Sequence, residues 1–88
     1  MAYNLFYSSS ADKNLEKLDR RAVALILKWL DKNIQGCVNP RAQGKALKGS
    51  LRQYWGYRVG NYRIVCHIDD CRLTVLAIRK GIRKNVYK

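Results

Sequence analysis

Three strand-like runs lie between Tyr54 and Arg79 with only two residues separating each from the next. They are Tyr54–Val59, Tyr62–Ile68 and Cys71–Arg79, broken at Gly60-Asn61 and at Asp69-Asp70. Runs rich in β-branched and aromatic residues favour strands. A two-residue link joins antiparallel neighbours only, because a parallel connection needs a dozen residues or more. The second half of the chain is therefore predicted as an antiparallel meander. Glycine at the first position of a two-residue loop suits a type II′ turn, so Gly60-Asn61 closes a hairpin. Asp69-Asp70 is a weaker turn pair, supported by the strands around it.

The first half has a different period. Tyr3–Tyr7 is a short aromatic-rich strand. Ser8-Ser9-Ser10 is a turn, and Ser9 with Asp12 has capping-box spacing. A short helix follows, with Ala11, Leu15 and Leu18 on one face. Asp19 caps a second helix. In that helix Val23, Ile26, Leu27, Leu30 and Ile34 recur at helical spacing, and Ala22, Leu25 and Trp29 widen the stripe. Such a stripe faces a core, and Trp29 is read as core packing. Gly36 is a C-cap. Residues 37–50 form a loop punctuated by Pro40, Gly44 and Gly49, with Lys45 and Lys48 in it. The order β-α-α-β-β-β is an α+β fold, a helical hairpin packed on one face of a small antiparallel sheet. Residues 1–88 make one domain.

Eighty-eight residues support one modest core and are too few for a Rossmann fold or a TIM barrel. Hydrophobic residues at 48% are too many for a disordered basic tail. Cys37, Cys66 and Cys71 match no zinc spacing. They read as small apolar fillers in a reducing cytosol. No apolar run spans a membrane, and the N-terminus lacks a signal-peptide layout.

Charge is the first functional clue. Eighteen Lys and Arg against six Asp and Glu give a net charge of +12. Twelve of those cations lie from Arg41 onward, opposed only by Asp69 and Asp70. So concentrated a charge is tolerated for a polyanionic partner: RNA, DNA or an acidic protein. No amphipathic cationic helix is present, which disfavours a membrane surface.

Register sharpens the clue. With Gly60-Asn61 as the loop, Val59 pairs with Tyr62 and Arg58 sits opposite Arg63. With Asp69-Asp70 as the loop, Ile68 pairs with Cys71. One face then carries Trp55, Tyr57, Val59, Tyr62, Ile64, Cys66, Ile68, Leu73, Val75 and Ala77, and must pack on the helices. The other carries Tyr54, Gly56, Arg58, Arg63, Val65, His67, Arg72, Thr74, Leu76 and Ile78. Like charges directly opposite one another destabilise a sheet, so facing arginines suggest an anion between them. Arginine forks match phosphate geometry. The basic tail Arg79-Lys80-Gly81-Ile82-Arg83-Lys84 reaches towards this face, and Tyr87 can stack on a base or hydrogen-bond a phosphate.

Other chemistry is missing. His67 is the lone histidine, and the carboxylates form no evident dyad. There is no phosphate-binding glycine loop, no Ser-His-Asp set and no metal cluster. An enzyme built from this chain works with Arg, Lys and Tyr, without metal or cofactor. Such groups stabilise a pentacovalent phosphate and a leaving oxygen.

The segments Lys45-Ala-Leu-Lys-Gly49, Tyr54-Trp-Gly-Tyr-Arg-Val-Gly-Asn-Tyr-Arg-Ile-Val65 and Gly81-Ile-Arg-Lys-Asn-Val-Tyr-Lys88 resemble the RelE branch of the RelE/ParE toxin superfamily. The resemblance covers essentially the whole chain, including Asn39-Pro40-Arg41. It implies a RelE-like fold and the toxin of a type II toxin–antitoxin pair, acting in the cytoplasm. The implied activity is cutting mRNA in the ribosomal A site, by attack of a ribose 2′-hydroxyl on the adjacent phosphate. The implied partners are the ribosome, mRNA and an acidic RelB-like antitoxin, with operator DNA reached only through the antitoxin complex. Carried over by position, Arg63 stabilises the transition state, Arg83 stands near the leaving oxygen, and Tyr87 orients the base. Arg58 matches a frequent neighbouring arginine. Lys45, Lys48, Arg79, Lys80 and Lys84 supply further RNA contacts. The sequence departs from the family at Tyr54, where the best-studied members have lysine, at Gly56, where they have lysine and closer relatives usually arginine, and at Ile82, where histidine is common. The general base is unassigned, with Lys45 and Lys48 as loop candidates. Two other functions fit the same resemblance: a non-catalytic ribosome or antitoxin binder, and a ParE-type gyrase poison.

Overall fold

The computed structural model describes residues 2–47 and 53–81. The elements are β1 (Asn4–Tyr7), α1 (Ser9–Glu16), α2 (Arg20–Asn33), a 3-10 turn (Pro40–Ala42), β2 (Lys45–Ala46), β3 (Trp55–Val59), β4 (Tyr62–Asp69) and β5 (Arg72–Lys80). The sheet order is β1-β5-β4-β3-β2. Only β1 with β5 is parallel; the other pairs are antiparallel. The expected α+β architecture is therefore present, and the expected loop over 37–50 contains an added edge strand, β2.

Both helices begin at side-chain caps. The Asp19 carboxylate accepts from Ala22 N at 2.8 Å, as expected. The α1 cap is Ser8 rather than Ser9: the Ser8 hydroxyl oxygen accepts from Ala11 N at 3.0 Å. The Ser9–Asp12 capping box is not formed, because Ser8 alone holds the extended conformation that a cap requires. Gly36 lies beyond the end of α2, at φ 77°. The α2 stripe buries Ala22, Ile26 and Leu30, with Ile34 following. Leu25 departs from the expected stripe and is 49% exposed, at the edge of the apolar arc beside the β3–β4 turn.

Ile26, Leu30 and Ile34 meet Tyr57, Val59, Ile64, Cys66, Leu73, Val75 and Ile78 of the sheet. Trp29 packs on Tyr57 with ring centroids 5.5 Å apart. The β3–β4 register is the expected one, with Val59 opposite Tyr62 and Arg58 opposite Arg63. Positive φ falls on Gly60 and not on Asn61, as a type II′ turn requires.

The β4–β5 hairpin differs from the sequence expectation in two ways. Its turn residues are Asp70 and Cys71, both at positive φ. Asp69 therefore pairs with Arg72 and Ile68 with Leu73. In addition, Cys66 opposes Val75 while Val65 opposes Ala77, so Leu76 is an extra residue in β5. This bulge reverses the faces beyond it. Ile78 turns into the core, where it is 6% exposed, and Ala77 turns outward. Both had been expected on the opposite faces.

Helix α1 secures the bulged edge. Strand β1 pairs with β5 only as far as Tyr7 opposite Val75. Beyond that point the Ser8 hydroxyl donates to Leu76 O at 3.1 Å, and the Asn14 side-chain oxygen accepts from Ile78 N at 2.9 Å. Ser8 thus serves the helix with its lone pair and the bulge with its proton. Ser8→Ala removes both. It is expected to cost about 2 kcal/mol, against about 1 kcal/mol for the cap-only change Asp19→Ala. Urea unfolding of the two variants measures the difference, and equal losses would refute the double role.

Burial also pushes the Cys66 thiol up from 9.0 to about 12. Burial, then Asp31, raises the Tyr7 phenol from 10.0 to about 12. Tyr57 is raised too, chiefly by burial. The unfolded chain releases these protons first, so their contribution to stability is intact below about pH 9 and falls as pH rises towards 12. A Cys66→Ala variant is expected to flatten the alkaline fall measured by urea midpoints between pH 8 and 11 (about the span of the unfolded thiol and phenol titrations). An unchanged slope would reject that assignment.

Candidate nucleic-acid interface

The sheet face turned away from the helices is built by the meander. Arg58 and Arg63 are direct cross-strand partners, as expected. The bulge brings in a third cation, because Arg63 also pairs directly with Arg79. Arg58, Arg63 and Arg79 form a row across three adjacent strands, with Arg63 in the middle. All three are exposed. Directly opposed residues have Cβ atoms about 5 Å apart, so the row is a repulsive arrangement in the absence of an anion. None of the three pairs with a carboxylate among the described residues. Phosphate oxygens suit such forked donors.

Lys45 lies on the same face. It pairs with Gly56 on β3 and projects from the sheet edge. The chain leading to it is pinned to β3 from the core side. Tyr57 donates its buried hydroxyl hydrogen to the Pro40 carbonyl. Trp55 Nε1 donates to Gln43 O at 2.7 Å. Gly44, at φ 73°, passes so close to β3 that a Cβ would stand 2.3 Å from the Gly56 carbonyl oxygen. Only glycine fits there.

Gly56 has a separate reason to lack a side chain. A Cβ there would stand 2.8 Å from Leu47 Cδ2. Leu47 therefore leans over the strand position at which a family-type cation was expected, and that part of the face is apolar. An aromatic pair also lies on this face. Tyr54 and His67 are in edge contact, with centroids 6.1 Å apart and planes at 76°. The sequence placed both on this face but gave no sign of their contact.

Lys80 is not part of the row. It pairs with Tyr62, whose ring packs against the core, so the bulge puts Lys80 on the helix side of the sheet rather than with the arginines. Arg79 and Lys80 both belong to β5 and not to a free tail. Lys48, Arg83, Lys84 and Tyr87, and with them Ile82, lie outside the described residues. Among the described residues, no three His, Cys, Asp or Glu side chains group as a metal set. No helix there is long and apolar enough to cross a membrane.

The described part of the chain is thus an exposed cationic sheet face backed by a helical hairpin. Residues 5–84 match the model of the ParE toxin of type II toxin–antitoxin systems, parDE. The chain belongs to this toxin family, within the RelE/ParE superfamily. It is 28% identical over 88 residues to Toxin RelG of Mycobacterium tuberculosis, covering 100% of this chain and 99% of that one. Its fold is similar to that of the toxin–antitoxin complex RelBE2 of M. tuberculosis, with a TM-score of 0.81, 24% identity, and 91% and 92% of the two chains covered. It is also similar to the isolated E. coli RelE toxin, with a TM-score of 0.72, 22% identity, and 98% and 92% covered.

If the arginine row binds an anion, inorganic phosphate is expected to raise the melting temperature of the wild-type chain more than that of Arg58→Ala/Arg63→Ala. Equal rises in differential scanning fluorimetry would show that the row holds no anion.

Proposed function

We propose that this toxin is a metal-independent endoribonuclease that cuts mRNA in the ribosomal A site. The observation that carries the reading is the row of Arg58, Arg63 and Arg79 on an open sheet face, with no carboxylate partner among the described residues. In the proposed reaction a ribose 2′-oxygen attacks the adjacent phosphorus. The P–O bond to the next nucleotide's 5′-oxygen breaks, leaving a 2′,3′-cyclic phosphate and a 5′-hydroxyl. Arg63, central in the row, faces the charge that builds on the equatorial oxygens. Arg58 and Arg79 hold the same phosphate or its neighbour. By resemblance, Arg83 stands at the leaving oxygen and Tyr87 orients the base. Lys45, Lys48 and Lys84 add contacts to RNA. Lys45 and Lys48 are the candidates for taking the 2′-hydroxyl proton. Arginine cannot, because it stays protonated.

An acidic antitoxin is the proposed protein partner, supported by the similarity to the RelBE2 toxin–antitoxin complex and by the +12 charge. Operator DNA is reached through that complex. The proposed compartment is the cytoplasm, where the ribosomes are.

One observation favours a second reading. Leu47 over Gly56 replaces a strand cation with apolar surface, which suits a ribosome binder that does not cut. Primer extension on programmed ribosomes separates the two. Discrete A-site cuts are expected from the wild-type chain, reduced about 100-fold or more by Arg63→Ala. Ribosome binding without cuts would establish the binder. Inhibition of gyrase supercoiling with neither cuts nor ribosome binding would establish a ParE-type gyrase poison instead.

A further inference from the structure

The open face is ordered into bands along the strands. The arginine row lies at one end. Next comes an apolar strip, with Val65 between Gly56 and Ala77 as its direct partners and Leu47 leaning over Gly56. Beyond the strip stand Tyr54 and His67. Tyr54 precedes Trp55, the partner of Cys66, which places it beside His67 across β3 and β4.

We propose that Tyr54 and His67 form a nucleobase platform. Single-stranded RNA then crosses the sheet with one phosphate on the arginine row and the base of an adjoining nucleotide against these two rings. The proposal rests on the RNA reading of this face and adds a substrate contact to it.

Three observations carry it. First, the rings meet at 76°. A T-shaped pair leaves ring faces uncovered that an offset stack would hide, so π surface remains for a third ring. His67 is exposed and Tyr54 is partly so. Phe6, a further aromatic of this face at 46% exposure, already has the Arg72 guanidinium over its ring at 5.3 Å.

Second, the spacing fits. Arg63 and His67 are four residues apart on one strand, about 13 Å. The arginine side chain covers part of that span, and a nucleotide bridges the rest. Third, the strip between them is closed and uncharged, with Gly56 and Val65 buried and Ala77 half-buried, so the surface left for a base is at the Tyr54 and His67 rings. The cations at its end complement the phosphate, so charge and shape select a nucleotide over a purely apolar or purely acidic partner.

The test is fluorescence anisotropy with the full chain and a labelled single-stranded RNA, 2′-O-methylated to block cleavage. A matched RNA with abasic residues is titrated in parallel. Wild-type protein is expected to bind the abasic strand roughly 5- to 100-fold more weakly. Tyr54→Ala and His67→Ala should weaken the intact strand similarly and leave the abasic strand unchanged. Tyr54→Phe and His67→Tyr, which keep a ring, should restore affinity. Arg63→Ala should weaken both strands alike and flatten the salt dependence.

Equal wild-type affinity for intact and abasic RNA would overturn the platform and leave the face as an anion site only. So would unaltered binding by Tyr54→Ala, or failure of the ring-keeping variants to bind while circular dichroism shows them folded. No binding by the wild-type chain at low salt would also overturn it. A-site cutting on ribosomes is read separately, so the nuclease reading stands or falls on its own result.

Discussion

Strand β5 has nine residues and β4, its antiparallel partner, has eight. The extra residue, Leu76, is the constraint on which both sides of the sheet depend. Without it Ile78 would point away from the helices and Arg79 into them. Burying an unpaired guanidinium is far more costly than burying a methyl-rich side chain. The bulge therefore places an isoleucine in the core and a cation on the open face in one step. It also leaves polar backbone atoms beyond the reach of β1, and α1 meets that need through Ser8 and Asn14. A short helix of eight residues would be marginal alone. Here it is fixed by the strand edge that it completes.

The same logic explains which features were legible in the sequence. The α2 stripe, the Asp19 cap and the Gly60-Asn61 turn are local, and each follows from spacing or from one residue's backbone preference. The Arg58–Arg63 pair follows from that turn alone. The bulge is not local. It is chosen by the joint demand that Ile78 be buried and that Asp69 pair with Arg72, and no residue type marks Leu76 as the extra one. The β4–β5 turn lies one residue beyond the Asp69-Asp70 pair for a related reason. Asp69-Asp70 has turn composition, but Asp70 and Cys71 take the positive φ values, and cysteine has no particular preference for them. The position of Lys80 could not be read correctly without the bulge. Strand β2 was hidden because two residues carry no period, and it exists only because Gly44 and the Trp55 and Tyr57 side chains hold that segment against β3.

The arginine row has a cost that the rest of the fold must offset. Three aligned like charges oppose sheet pairing, by about 1 kcal/mol per close pair even in water. The opposing side of the same strands carries Tyr57, Ile64 and Ile78, all at the centre of the core. Burying such side chains contributes about 1.5–3 kcal/mol each, enough to hold the row in register. The strands that present the cations are thus the ones most firmly anchored behind them. Such rigidity suits recognition of a phosphate, since preorganised donors need no rearrangement as charge develops.

Gly56 shows how the edge strand and the site constrain each other. Leu47 occupies the space in which a side chain at position 56 would stand, and Leu47 follows directly on β2, which pairs through Gly56 itself. A cation at 56 would have to displace Leu47. The contact is with the far end of a flexible side chain, so it obstructs less severely than the backbone oxygen that confronts Gly44. Position 56 therefore carries no charge, and its direct neighbour Val65, with Ala77 beyond it, is apolar. The three aligned arginines stand at one end of the face, and its middle is closed, with Val65 8% exposed. The open face is thus divided by its middle, with Arg58, Arg63 and Arg79 on one side of the closed strip and the Tyr54–His67 pair on the other, and Arg72 over Phe6 further along.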